Sequence, residues 1–442
     1  MPQATFTFPK GFLWGTATAS HQVEGGNNNN NWAIWEDTPG KIIGGHRSGR
    51  ACDWWCGKRW KEDFDRAAET GQNTHRLSIE WSRVQPAADR WDEDAINYYR
   101  EIVRGMTERK LMPMVTLHHF TDPIWFYEQG GWEMEDAPGL YARYVEKVVE
   151  ALKEYVSVWV TINEPNVYTL NGYVEGAFPP GKKDVGAAFG VYCNLVRAHA
   201  QAYRIIHKIQ PQARVGFAHH YRSVLPARSW SPFDRLAAKL VFESINVAFP
   251  GALLDGRVRL LGKQCRVPEA IGTQDFFGLN YYTRTLVAFV LDAKQFFQRS
   301  FFPPGVEVSP TGFLANVPEG FYEAMRWATR FNVPILITEN GVEDNDDRLR
   351  PSYLVEHVHQ VWRALNNNFQ IKGYYHWSLV DNFEWERGWT QRFGLWGLNP
   401  ESQSRLRRPS VDLYAAICRE NALSSAMVEK FAPRSFARLF PV

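Results

Sequence analysis

The sequence predicts one (β/α)8 barrel, a TIM barrel with its active site at the C-terminal ends of the strands, spanning residues 1–442 as a single catalytic domain. Eight apolar runs are each followed by a stretch of helical periodicity. The runs are continuously apolar rather than alternating, as parallel strands covered on both faces are. The competing architecture, an open doubly wound sheet, lacks support because no Gly-rich dinucleotide fingerprint follows the first strand.

The units follow in order. FLWGTATAS, from Phe12, precedes an amphipathic stretch at 58–70, and THRLSIEWS, from Thr74, precedes a helix at 95–110. MPMVTLHHF, from Met112, precedes 138–155, where Leu140, Tyr144, Val145, Val148, Val149 and Leu152 form one helical face. VWVTINEP, from Val158, leads to 187–209; ARVGFAHHY, from Ala213, leads to 234–245. DFFGLNYYT, from Asp275, leads to 318–331, PILITENG, from Pro334, to 352–365, and IKGYYHWSL, from Ile371, to 410–420. The longest intervals, 33–55 and 286–317, read as loops inserted on the barrel.

Composition narrows the function. Lys plus Arg (50) against Asp plus Glu (48) leaves +2, whereas a nucleic-acid protein carries a clustered basic face. The one basic cluster, SRLRRPS from Ser404 to Ser410, reads as a solvated loop, as does the asparagine run Asn27 to Asn31. Aromatic content of 14%, with 18 Trp, serves the core first. The excess also suits a sugar site, where flat rings pack on C–H faces. Five cysteines, Cys52, Cys56, Cys193, Cys265 and Cys418, read as free thiols in a reducing compartment. No leader pattern opens the sequence and no run reaches membrane-span length, so a cytoplasmic protein without a membrane partner is expected.

Several apolar runs end in charged or polar side chains, which are rarely buried without a partner or a task. In a barrel those ends share one pocket. They are Gln22 and Glu24, Arg76 and Glu80, His118 and His119, Asn163 and Glu164, then His219 and His220, Asn280 and Tyr282, Glu339 and Asn340, His376 and Trp377, with Glu384 and Trp385 in the next loop. Glu164 and Glu339 come from the fourth and seventh strands and are expected to face each other. Two facing carboxyls suit glycoside hydrolysis, one as acid and the other as nucleophile or base; separations of about 5–5.5 Å give retention and roughly 6.5–9.5 Å inversion. Arg76, Asn280 and Tyr282 are suitable donors for one of the two.

These residues resemble the family 1 glycoside hydrolases, the β-glucosidase family. FLWGTATASHQVEGG, TINEP, GLNYYT, ILITENG and HWSLVDNFEWERGW followed by RFGLW carry the resemblance, in order, over about 8–418; the tail at 423–442 lies outside it. The resemblance implies a retaining β-glycosidase acting on terminal non-reducing β-D-glycosyl residues, β-glucosidase first, with galactosidase and fucosidase activity left open. It implies Glu164 as acid/base and Glu339 as nucleophile, supported by Arg76, Asn280 and Tyr282. Gln22, His119, Asn163, Glu384 and Trp385 would bind sugar hydroxyls, and Trp377 would lie beneath the ring. No cofactor or metal is implied, and the partners are small β-glycosides such as cellobiose. Glu164 stands where thioglucosidases of the family have Gln, which favours O-glycosides. Glu384 would repel a sugar phosphate. Asp122 stands where the family commonly has Leu. The aglycone would meet the loops 168–180 and 286–317.

Three alternatives accompany this reading. They are a transglycosylase using the same covalent intermediate, a metal-dependent barrel hydrolase using His119, His219, His220 and His376, and a non-catalytic sugar-binding member. Adjacent histidines on one strand point to opposite faces, which weighs against the metal reading.

Overall fold

The computed structural model describes residues 4–292 and 295–441. Eight strands form a closed parallel ring: β1 (Leu13–Ala17), β2 (Thr74–Ser78), β3 (Met112–His118), β4 (Val158–Asn163), β5 (Arg214–Pro226), β6 (Phe277–Phe289), β7 (Ile335–Asn340) and β8 (Ile371–Trp377). Pairing runs in chain order, and β8 returns to β1 with Tyr374 opposite Trp14. Each strand is followed by its outer helix: α1 (Trp60–Glu69), α2 (Glu93–Glu108), α3 (Ala137–Leu152), α4 (Val185–Ile209), α5 (Pro232–Phe242), α6 (Pro318–Ala328), α7 (Arg350–Asn366) and α8 (Pro409–Glu420). The expected units are all present.

The reason is local. Every residue of β2, β4 and β7 is buried, because one face meets the barrel interior and the other the helices. Close strand approach demands glycine at Gly278, where a Cβ would sit 2.4 Å from the Phe217 carbonyl oxygen. Helix α2 shows the outer layer's logic. Asp92 caps it, accepting from Ala95 N at 2.9 Å. Ile96, Tyr99, Ile102, Val103 and Met106 form its buried stripe, each worth about 1.5–3 kcal/mol of burial. Among the described residues no helix is long and apolar enough to cross a membrane.

Four expectations need correction. The asparagine run is not a solvated loop: Asn27, Asn30 and Asn31 are buried. Asn30 caps the helix Asn31–Asp37 through Ala33 N at 2.9 Å, and Asn31 exchanges hydrogen bonds with Asp122. A short amide satisfies backbone ends better than water can in a packed rim. The basic cluster is not solvated either. Arg405 reaches buried Asp63 at 2.8 Å and Arg408 reaches buried Asp381 at 2.8 Å, while Arg407 stays outside on Asp412. The cysteines are not all free: Cys193 on α4 and Cys265 form a disulfide, leaving Cys52, Cys56 and Cys418 as thiols. Finally, 286–317 is not simply loop. β5 and β6 run past the barrel rim, paired as far as Pro226 and Val287, and the strand Gln298–Phe301 adds antiparallel to β6.

The tail that the sequence left unassigned packs on the barrel's outside. Ala422–Ser424 pairs with Thr5–Thr7, Phe440 stacks on Phe6, and Arg438 bonds Glu356 on α7.

Candidate active site

Glu164 stands just past β4 and Glu339 is the second-to-last residue of β7, and both line one cleft at the C-terminal ends of the strands. The cleft encloses about 360 Å³. Glu164 adopts φ 44°, ψ 58°, a left-handed conformation rare for a side chain with a Cβ, at a cost of about 1–2 kcal/mol. Its N–H still bonds Ala218 O on β5 at 2.8 Å, and Pro165 then opens a short helix, Pro165–Leu170. The strand ends abruptly so that the carboxyl turns inward. Phe120 and Trp385, also on the cleft wall, share positive φ. Strain of this kind gathers where function over-determines the backbone.

The two carboxyls have different surroundings. Arg76, fully buried, donates to Glu339 Oε1 at 2.6 Å, and Tyr282 donates its hydroxyl to Oε2 at 2.6 Å. Glu164 Oε1 accepts from Asn280 Nδ2 at 2.8 Å and lies 3.2 Å from His220 Nδ1. A chain of hydrogen bonds joins the two sites. Arg76 donates to Asn163 Oδ1 at 2.7 Å, and Asn280 donates to the same oxygen at 3.3 Å as well as to Glu164. Thr338 fixes Asn280 from behind, donating to its Oδ1 at 2.6 Å. Each of these buried polar groups thereby has a partner, as a rigid site requires.

Burial pushes the Glu339 pKa up to about 7; the Arg76 charge opposes this, the Glu164 charge adds to it, and the Tyr282 hydrogen bond lowers it. His119 lies 3.0 Å from Asn163 Nδ2; burial and then the Arg76 charge drive its pKa well below the usual histidine range, so its ring is neutral.

A polar rim sits beside the carboxyls. Glu384 accepts from Gln22 Nε2 at 3.1 Å and Asn382 Nδ2 at 3.2 Å. Burial, with the Glu386 charge next, raises its pKa to about 8. Trp377 and Trp385 line the cleft, and His119 stacks against both rings at about 6.0 and 5.9 Å.

The other strand-end residues turn elsewhere, because neighbours on a strand face opposite sides. Glu24 is buried against Arg83 and Tyr99. Glu80 takes Ser20, Ser82 and Thr121. His118 faces Asp122, which also accepts from Trp132 and Tyr168; a carboxylate at this position is thus a buried hub outside the cleft. His219 stacks on Trp327, His376 lies against Tyr414, and Asn340 bonds Tyr353 and the Tyr281 carbonyl. The sequence did not single out Asn382 or Glu386, nor the contact of His220 with Glu164. Only their closeness to Glu384 and to a strand end marked them. Val167, Phe178, Phe302 and Phe313 bring the loops 168–180 and 286–317, with the short helix before the first, to the cleft wall.

A model described as Glycosyl hydrolase family 1 matches residues 4–423. A 1,4-beta-D-glucan glucohydrolase of Thermotoga neapolitana is 31% identical over 94% of this chain and 99% of its own. A beta-galactosidase of Sulfolobus acidocaldarius is 28% identical over 94% of this chain and 96% of its own. The solved beta-glycosidase from Pyrococcus horikoshii superposes with a TM-score of 0.90 at 35% identity, covering 97% of this chain and 98% of that one.

Proposed function

The chain belongs to glycosyl hydrolase family 1 and is a β-glycosidase, and from that premise we propose that Glu339 is its nucleophile and Glu164 its acid/base. The observation that carries the assignment is the asymmetry of donors. Glu339 holds a guanidinium and a phenol at 2.6 Å each, which favour its ionised form. Glu164 has an amide and an imidazole nitrogen instead. Glu164, free of any cation as close as Arg76 is to Glu339, is therefore the one left to hand a proton to the leaving oxygen.

The reaction follows in two displacements. A Glu339 oxygen attacks the anomeric carbon while Glu164 gives its proton to the departing oxygen, and an α-linked glycosyl-enzyme forms. Glu164, now a carboxylate, removes a proton from water, which attacks the same carbon and frees Glu339. Two inversions give net retention.

The non-reducing sugar lies on Trp377, with its hydroxyls toward Gln22, His119, Asn163, Glu384 and Trp385. Gln22 Oε1 and His119 Nδ1 support this, since both are buried without a partner among the described residues; sugar hydroxyls would satisfy them. We take glucosides as the first substrates and galactosides as further ones, since relatives bear both names. The same reading keeps residues 1–442 as one catalytic domain and the enzyme in the cytoplasm, although the disulfide removes thiol chemistry as a ground for that location.

A 2-deoxy-2-fluoro β-glucoside with an activated leaving group tests the assignment. Peptide mapping should find the label on Glu339; a label on any other residue overturns it.

A further inference from the structure

We propose that the end of the barrel formed by α5 and the β6 extension docks on a lipid surface bearing anionic headgroups. This departs from the expectation of no membrane partner.

The exposed apolar side chains are unevenly spread. Among the described residues, fifteen large hydrophobics are exposed, and nine of them fall in two short stretches: Leu225, Trp230, Phe233, Leu236 and Leu240, then Leu291, Phe296, Phe297 and Phe301. Trp230 is 76% exposed and Leu291 90%. The stretches belong to one surface. Phe233 packs on Phe289 at 5.4 Å, and Phe289 stacks on Phe297. Leu225 pairs with Leu286, which pairs with Phe301 on the next strand.

Helix α5 explains the exposure. Ala237 and Ala238 face inward with Val241 and Phe242 behind them, forming a small cluster with Val224 and Val287. Phe233, Leu236 and Leu240 stand at helical spacing on the other side. A helix apolar on two sides has a second surface to bury, and contiguous patches of this kind mark docking sites.

Charge decides the occupant. Asp234 is buried and committed to Arg228 at 2.7 Å. Arg235 and Arg299 are exposed and have no carboxylate within ion-pair distance among the described residues. Lys239 has only Glu243 at 3.8 Å. Residues 225–243 and 286–301 carry five Lys or Arg against three Asp or Glu, so two copies joined face to face would set a net positive surface against itself. An anionic lipid surface instead meets it with opposite charge, and Trp, Phe and Leu beside Arg and Lys are the composition of a helix lying in the interface plane.

Flotation with vesicles tests this. The full chain should float with phosphatidylcholine vesicles containing roughly a third phosphatidylglycerol, less well with pure phosphatidylcholine, and less in high salt. The triple variant Phe233→Asp, Leu236→Asp, Leu240→Asp should partition at least about tenfold more weakly. Arg235→Glu with Arg299→Glu should lose the preference for anionic vesicles. Unchanged hydrolysis of a water-soluble aryl glucoside by both variants shows that each is folded. Absence of binding to either vesicle, undiminished binding by the folded triple variant, or a dimer in light scattering that the triple variant makes monomeric overturns the proposal.

Discussion

Tyr282 donates its hydroxyl to Glu339 at 2.6 Å, on the same carboxylate that Arg76 clamps at 2.6 Å. Burial raises the Glu339 pKa to about 7, and these two donors hold it from going higher. The nucleophile acts as the ionised form, so kcat/KM must fall as pH drops through that value. Tyr282→Phe removes a donor to the charged form and raises the pKa further. The acid limb of kcat/KM for an activated aryl glucoside should move to higher pH. Below the limb, activity should be about tenfold lower for every pH unit by which the limb moves. A limb that stays in place would mean that Tyr282 does not tune this carboxyl.

Glu384 should make the enzyme discriminate against a phosphate on the sugar, and more so at higher pH. Its pKa is raised to about 8 by burial and by Glu386. Below that pH it is uncharged and repels phosphate weakly; above it the charge is full. The ratio of kcat/KM for an aryl β-glucoside to that for its 6-phosphate should exceed one at neutral pH and climb as pH passes 8. Taking a ratio cancels ionisations that affect both substrates. A ratio that falls with pH would overturn this role for Glu384.

Asp63 on α1 accepts from Trp54 Nε1 and Arg405, at 2.8 Å each. Both members of the ion pair are buried. Asp63→Ala leaves the Arg405 charge buried with carbonyls alone, and such breaks cost about 3–5 kcal/mol. Denaturant melts should show that loss. Arg407→Ala, on the exposed Asp412 pair, should change stability by less than about 1 kcal/mol.

The barrel was legible because burial on both faces leaves an unbroken apolar signature, and β2, β4 and β7 carry it end to end. Glu164 and Glu339 were legible for the opposite reason, as carboxyls placed where such a run stops. What escaped depends on partners far along the chain. Arg405 looked solvated because Asp63 lies 342 residues away. Cys193 and Cys265 looked unpaired because 72 residues separate them. The asparagine run looked like a loop because its partners, Glu80 and Asp122, sit on other elements. The apolar α5 face was hidden for a related reason. Periodicity shows that Leu236 and Ala237 are both apolar, but not that only Ala237 finds a neighbour.

Glu164 shares the cleft with the clamped Glu339 and is bonded to Asn280 at 2.8 Å, and its removal separates the two chemical steps. Glu164→Ala should slow glycosides with poor leaving groups by roughly 10²–10⁴-fold, because these need a proton to depart. Activated aryl glycosides need little protonation, so their first step should suffer less. Their second step still lacks a base, so the glycosyl-enzyme on Glu339 should accumulate and show as a burst of released phenol. Azide needs no deprotonation and should relieve the block by attacking the anomeric carbon from the face that water would have used. The product should be the β-glycosyl azide, since the carbon has inverted twice. Proton NMR distinguishes it from the α-anomer by its anomeric coupling. An α-azide would place the nucleophile elsewhere. Full activity on poor leaving groups without rescue would remove Glu164 from the acid/base role.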